Sequence, residues 1–180
     1  PAQGSVVTPA VLTVLSHSRA GSTARLAEAV VDGALEAGRV LAPGGRGAGD
    51  SEVGVEQLAV QHLDVTEAGL DDVRAASGVV FCTPARFGAL AGLTKDLLER
   101  IYPWFEEVPD VKAGMPWTAV AKGATDPSGA VRDLERILTG LRWKQVLPPL
   151  QVVGDVTDAH LEAAHELGAT MAAGIATGTF

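Results

Sequence analysis

Apolar positions in this chain fall into two recurring patterns, short unbroken runs and longer stretches with a repeat of three to four residues. Val11–Leu15 is nearly continuous and reads as a strand buried on both faces. Thr23–Ala37 follows with Leu26, Ala27, Val30, Val31 and Leu35 at helical spacing, and Gly38 stands where a helix C-terminal glycine belongs. Val55–Leu63 supplies a second strand, Asp64–Ala76 a short helix, and Gly78–Thr83 a third strand ended by Pro84. Leu90–Phe105 is helical, with Leu93, Leu97, Leu98 and Ile101 on one face. Pro116–Ala121 forms a fourth strand, and Ser128–Leu141 a helix capped by Ser128 or Asp126. Gln145–Val153 is the fifth strand, where Pro148 and Pro149 favour an edge position or a bulge, and Asp158–Ala176 is a long closing helix. Pro1–Thr8 reads as a lead-in and the Gly-rich Leu41–Gly54 as a flexible surface loop. Five strands alternating with helices require a parallel sheet in an α/β fold, because each right-handed crossover returns the chain to the same end. No repeat or long linker divides the chain, so one domain over residues 1–180 is expected.

Composition narrows the picture. Hydrophobic residues make up 47% of the chain but aromatics only 4%, so the core must be largely aliphatic. A formal charge of −8 leaves no basic face for nucleic acid. Cys82 is the single cysteine, which excludes an internal disulfide and fits a reducing compartment. Val6–Leu15 contains Pro9, lacks a basic leader and is too short to span a bilayer. A cytoplasmic protein without a membrane partner is the expectation.

Candidate chemistry begins at the end of the first strand. There the chain enters a hydroxyl-rich turn, and a helix starts at about Ser22. Such a turn aims backbone N–H groups, hydroxyls and the positive end of a helix at one point, as a phosphate monoester needs. Ser16–Thr23 resembles the phosphate loop of flavodoxin-like proteins, where turns of the form Ser-Arg-Thr-Gly-Asn-Thr hold the phosphate of FMN; Ala20 and Ser22 replace the first Thr and the Asn. The flavodoxin-like arrangement is a three-layer sandwich with a five-stranded parallel sheet of order 2-1-3-4-5. Its ligands sit beyond the carboxyl ends of the strands, between the loops after strands one and three. The second of those loops, Thr83-Pro-Ala-Arg-Phe-Gly-Ala-Leu-Ala-Gly92, resembles Gly-Thr-Pro-Thr-Arg-Phe-Gly-Asn-Met-Ser-Gly of NAD(P)H:quinone oxidoreductases of the tryptophan-repressor-binding-protein type. Thr83, Pro84, Arg86, Phe87, Gly88 and Gly92 match, while Cys82 and Ala89 depart from the pattern.

The resemblance implies an enzyme that binds FMN, takes hydride from NAD(P)H and reduces quinones or similar acceptors by two electrons in a ping-pong cycle. It also implies a homo-oligomer, dimer or tetramer. Ser16, Ser18, Ser22 and Thr23 are the hydroxyl donors to phosphate, and Gly21 lets the backbone of Ala20–Gly21 approach closely. Arg19 either adds charge or points into solvent. Pro84 rigidifies the loop that follows Thr83, Phe87 walls the isoalloxazine, and backbone groups of Ala85, Arg86 and Gly88 meet the ring edge. Lys122, Gly123 and Thr125 occupy the remaining side, where Lys122 or Thr125 stabilises negative charge on the reduced ring. The chemistry belongs to the flavin N5, so no catalytic side chain is expected.

Other residues receive plainer readings. Cys82 is a buried thiol and no phosphatase nucleophile, because the Cys-x5-Arg spacing places Gly88 where arginine is needed. His17 either flanks the ligand or faces solvent, and His62, His160 and His165 lack metal-ligand spacing. Trp104 and Trp117 belong to the core, a subunit contact or the ligand. Phe105, Glu106 and Glu107 suggest a subunit contact, and Asp71 and Asp72 a solvated helix face. The competing functions are a flavodoxin-type electron carrier and a member of the fold that has lost its flavin.

Overall fold

A computed structural model describes residues 9–41, 58–108 and 111–180. The lead-in, and everything after Leu41 in the expected Gly-rich loop, lie outside these residues. The elements are β1 (Ala10–Ser16), α1 (Ser22–Leu41), β2 (Leu58–Asp64), α2 (Leu70–Ala75), β3 (Gly78–Arg86), β4 (Ala89–Leu90), α3 (Gly92–Glu107), β5 (Pro116–Gly123), α4 (Ser128–Gly140), β6 (Lys144–Gln145), β7 (Leu150–Val153) and α5 (Asp158–Ala176).

The sheet runs β2-β1-β3-β5-β6, with β7 also on β5 and β4 on β3. All pairings are parallel except β3–β4. The expected 2-1-3-4-5 order therefore holds, with seven strands in place of five. One addition comes from the fifth strand, which divides around Pro148–Pro149: β5 pairs with Lys144–Gln145, then again with Leu150–Val153. Across the gap the Thr118 hydroxyl donates to the Leu147 carbonyl at 3.1 Å, satisfying a group the prolines leave off the ladder. The other is β4, a two-residue return strand on β3.

Helices cover both faces. Leu12 and Val14 of β1 pack with Leu26, Val30 and Ala34 of α1 and with Leu167, Met171 and Ile175 of α5. Leu15, Phe81 and Trp117 face the other way, against Leu97, Ile101 and Phe105 of α3 and Leu134 and Leu138 of α4. α1 and α5 approach closely because both carry glycine at the crossing: a Cβ on Gly33 would strike the His165 carbonyl, and one on Gly168 the Val30 carbonyl.

Several boundaries differ from expectation for local reasons. α1 continues through Gly38 to Leu41, since Gly38 does not take the positive φ of a helix-stopping glycine. Pro84 does not end β3. The backbone of Cys82 bonds toward β1, accepting from His17 N–H at 3.0 Å, so Pro84 two residues on faces the same side, where β1 has already finished. Its missing N–H leaves nothing unpaired, and β3 runs on beside β5 through the Pro84–Lys122 pair. Phe105 is a core residue edge-on to Trp143, not a surface contact. Asp72 caps α2 by accepting from Gly69 N–H at 2.8 Å and also binds Gln61, so only Asp71 keeps the solvated role. Among the described residues no helix is long and apolar enough to cross a membrane.

Candidate functional site

Three loops meet at the carboxyl end of the sheet: residues 17–21 after β1, the β3–β4 hairpin, and residues 124–127 after β5. Between them lies a cleft of about 130 Å³ lined by Ser18, Arg19, Ala20, Ser22, Thr23, Pro84, Ala85, Arg86, Lys122 and Ala124. Nine of these ten were expected from sequence. Ala124 was not, since it offers only a small side chain between Gly123 and Thr125.

The first loop is shaped to leave donors free. Gly21 has φ of 81°, a left-handed conformation that costs glycine little, and its carbonyl accepts the first bond of α1 from Arg25 N–H at 3.1 Å. Ser18 Oγ accepts from Gly21 N–H at 3.1 Å and closes the turn. The N–H groups of Ser22, Thr23 and Ala24 occupy the first helical turn and have no carbonyl one turn back. Thr23 is only 2% exposed, yet its hydroxyl finds no protein partner among the described residues while lining the cleft.

The electrostatics are one-sided. Arg19, Arg86 and Lys122 line the cleft, no carboxylate does, and none of the three forms an ion pair among the described residues. In a chain of net charge −8 this is a local reversal of sign. Unpaired cations, a helix N-terminus and an unpartnered hydroxyl open to the cleft form a lining whose chemistry suits an anion.

The second loop is a two-residue hairpin. Arg86 pairs with Ala89 and Ala85 with Leu90 around Phe87-Gly88, which have φ of 53° and 71°. Positive φ at both central residues is the type I′ pattern, which suits Gly88 but strains Phe87. Phe87 projects fully into solvent, next in the chain to Arg86 of the cleft lining.

Other expected residues lie beside the cleft without lining it. Ser16 Oγ is engaged by His62 Nε2 at 2.9 Å. Thr83 is buried, sharing a hydrogen bond of 3.0 Å with Thr94. Gly123 is pressed against the backbone of Asp126 and Pro127, and Thr125 is exposed. His17 is 8% exposed, with Nδ1 at 3.8 Å from Asp64, so it faces neither solvent nor the cleft. Burial tends to raise the Asp64 pKa, but hydrogen bonds from Thr66 N–H and Oγ1 and the neighbouring His17 outweigh it and hold the carboxyl low. Burial pushes the Cys82 thiol up to about 12, which makes it inert as a nucleophile. Trp117 is core, and Trp104 lies under the Arg74 guanidinium at 4.8 Å; neither lines the cleft. His160 helps cap α5 at Thr157, and His165 pairs with Glu36 at 3.1 Å.

No protein-family model matches the chain, and no curated protein matches it in sequence. Solved structures do match in shape. A flavodoxin from the domain Archaea superposes with a TM-score of 0.71 at 14% identity, over 92% of this chain and 98% of that one. A WrbA-like flavodoxin from Agrobacterium tumefaciens gives 0.70 at 19% identity, over 92% and 97%. The flavodiiron protein from Giardia intestinalis gives 0.68 at 20% identity, over 90% of this chain but 35% of that longer one. The chain has the flavodoxin-like fold, and the cleft lies where the loops after β1 and β3 converge on its switch point.

Proposed function

We propose that this protein is an FMN-binding oxidoreductase that takes electrons from NAD(P)H and delivers them in pairs to a quinone or a similar acceptor. The observation that carries the reading is the cation-lined cleft around Thr23, beside a hairpin whose Phe87 ring stands in solvent. Neighbours in shape named as flavodoxins, a WrbA-like protein and a flavodiiron protein support a flavin.

The residues fit the phosphate end of that cofactor. A space of about 130 Å³ holds a phosphate group but falls below the roughly 300 Å³ at which whole-ligand pockets begin. The ring would therefore lie outside the cleft, along Ala85–Gly88 and beside Phe87. Ser22, Thr23 and the first-turn N–H groups would hold the phosphate, with Arg19 and Lys122 balancing its charge. Arg86, at the rim, would meet the ring side or an incoming nucleotide. When bound, FMN supplies the hydride-accepting chemistry; the chain supplies position, charge and an open face. The same reading places the protein in the cytoplasm as a homo-oligomer, in line with the reductases its second loop resembles.

The test is titration of the purified protein with FMN, followed by absorbance and flavin fluorescence, then steady-state NAD(P)H oxidation with a quinone. Saturable binding and turnover are expected. Binding without turnover would replace the enzyme by an electron carrier, and no binding would remove the flavin.

A further inference from the structure

The hairpin on the ring side of the cleft cannot hold its own shape. Only two residue pairs join β4 to the end of β3, and the turn places Phe87 where asparagine or glycine is comfortable. What holds it lies outside the cleft, in the first two turns of α4. Gly129 sits so close that a Cβ there would stand 1.7 Å from the Gly88 carbonyl oxygen, a direct clash with backbone. One turn further, the Asp133 carboxylate accepts from Leu90 N–H at 3.0 Å, while its other oxygen binds Arg136 at 2.9 Å. Just before the helix, Pro127 of the third loop backs onto Gly123, where a Cβ would come within 3.1 Å of the Pro127 nitrogen. α4 thus grips the hairpin, although none of its residues lines the cleft.

We infer that Gly129 and Asp133 are positioning residues: they dock the 85–90 hairpin on α4 and so fix the face it turns toward the ligand. The docking stands on contacts within the protein, whereas its consequence for the ring rests on the FMN reading. Both parts are testable separately.

Arg86 is exposed at the hairpin tip, so tryptic cleavage of the Arg86–Phe87 bond under native conditions, read by mass spectrometry, reports hairpin opening. Asp133→Ala should accelerate that cleavage on the order of tenfold or more, the scale of a lost hydrogen bond to a charged group. Asp133→Asn retains an acceptor oxygen and should fall between Asp133→Ala and the parent. Gly129→Ala should open the hairpin at least as far, with Asp133→Asn deciding the matter if that variant does not fold. Flavin titration then reads the consequence: Asp133→Ala should weaken FMN and riboflavin by the same factor, because it disturbs the ring side and not the phosphate side. Unchanged cleavage at Arg86 would overturn the docking. Faster cleavage with unaltered flavin affinities, or a loss confined to FMN, would overturn the positioning of the ring. If the parent protein binds no flavin, the FMN reading falls while the cleavage series still judges the docking.

Discussion

The two loops that face each other across the cleft keep their shapes by opposite means. The loop after β1 is fixed by its own short-range geometry, a left-handed Gly21 and the Ser18–Gly21 bond, and it leaves N–H groups and hydroxyls unsatisfied at its mouth. The hairpin after β3 turns its polar groups inward or onto other elements: Thr83 to Thr94, Leu90 N–H to Asp133. One loop leaves donors free, as the proposed phosphate site requires. The other is built as a wall, and its strain sits in Phe87.

The sharpest way to break this contrast is to remove donors from the first loop alone. Ser22→Ala combined with Thr23→Val deletes two hydroxyls that line the cleft. At about 1.5–3 kcal/mol for each hydrogen bond to a charged group, FMN affinity should fall by two orders of magnitude or more. Riboflavin, which lacks the phosphate, should bind as before. Equal losses for the two ligands in parallel titrations would show that the loop does not hold phosphate.

A smaller effect separates the loops by backbone strain. Gly21→Ala meets no neighbour within 4 Å, so its cost is conformational only, on the order of 1–2 kcal/mol of stability. Phe87→Gly should do the reverse, relieving on the order of 1 kcal/mol at the turn while weakening both flavins through loss of the ring contact. Urea midpoints of the two variants, moving in opposite directions, are the expected outcome. A drop in stability on Phe87→Gly would mean the exposed ring contributes more than its strain.

Weaker still are the cations. Arg19→Gln and Arg86→Gln remove exposed charges, each worth roughly 0.2–1 kcal/mol toward a bound anion, and the loss should fade as salt rises. An affinity change independent of ionic strength would assign these side chains a contact role instead.

The contrast also explains what could be read from the chain. The shape of the first loop was legible because it is local: strand, hydroxyls, glycine and helix start follow one another over Val11–Thr23. The strand order and helix faces were legible too, since burial on both faces leaves nearly continuous apolar runs such as Val11–Leu15 and Gly78–Cys82. What failed was set by distant partners. Pro84 looks like a strand breaker until the end of β1 is seen to free its N–H side. Phe87-Gly88 lacks the usual hairpin-turn signature, and the support for that turn comes from Gly129 and Asp133, some forty residues on. Ser16 and Thr83 carry the right side chains, but His62 and Thr94 occupy them.

The finest probe of the ring-side assembly is pH. Asp126 accepts from Ser128 N–H at 2.8 Å and from the Ser128 hydroxyl at 2.9 Å, closing the loop that leads into α4. The backbone bond and then the hydroxyl bond, with a smaller part from the charge of Arg132, outweigh burial and hold its carboxyl below the ordinary value of 3.8. A pKa depressed on folding adds stability that is complete above the unfolded value and is lost as pH falls through the folded one. Acid below about pH 3.8 should therefore loosen the start of α4, and the hairpin docked on it, before any comparable change in the Gly21 turn. Ser128→Ala keeps the backbone bond but removes the hydroxyl, so the Asp126 carboxyl should titrate at higher pH, measurable by its ¹³C chemical shift. Amide shifts at Gly88 and Leu90 that follow that titration, with those of Gly21 and Ser22 unmoved, are what an α4-mounted wall requires. Shifts on both sides of the cleft together would mean that the two loops respond as one body, and that the contrast between them is one of chemistry rather than of mechanical support.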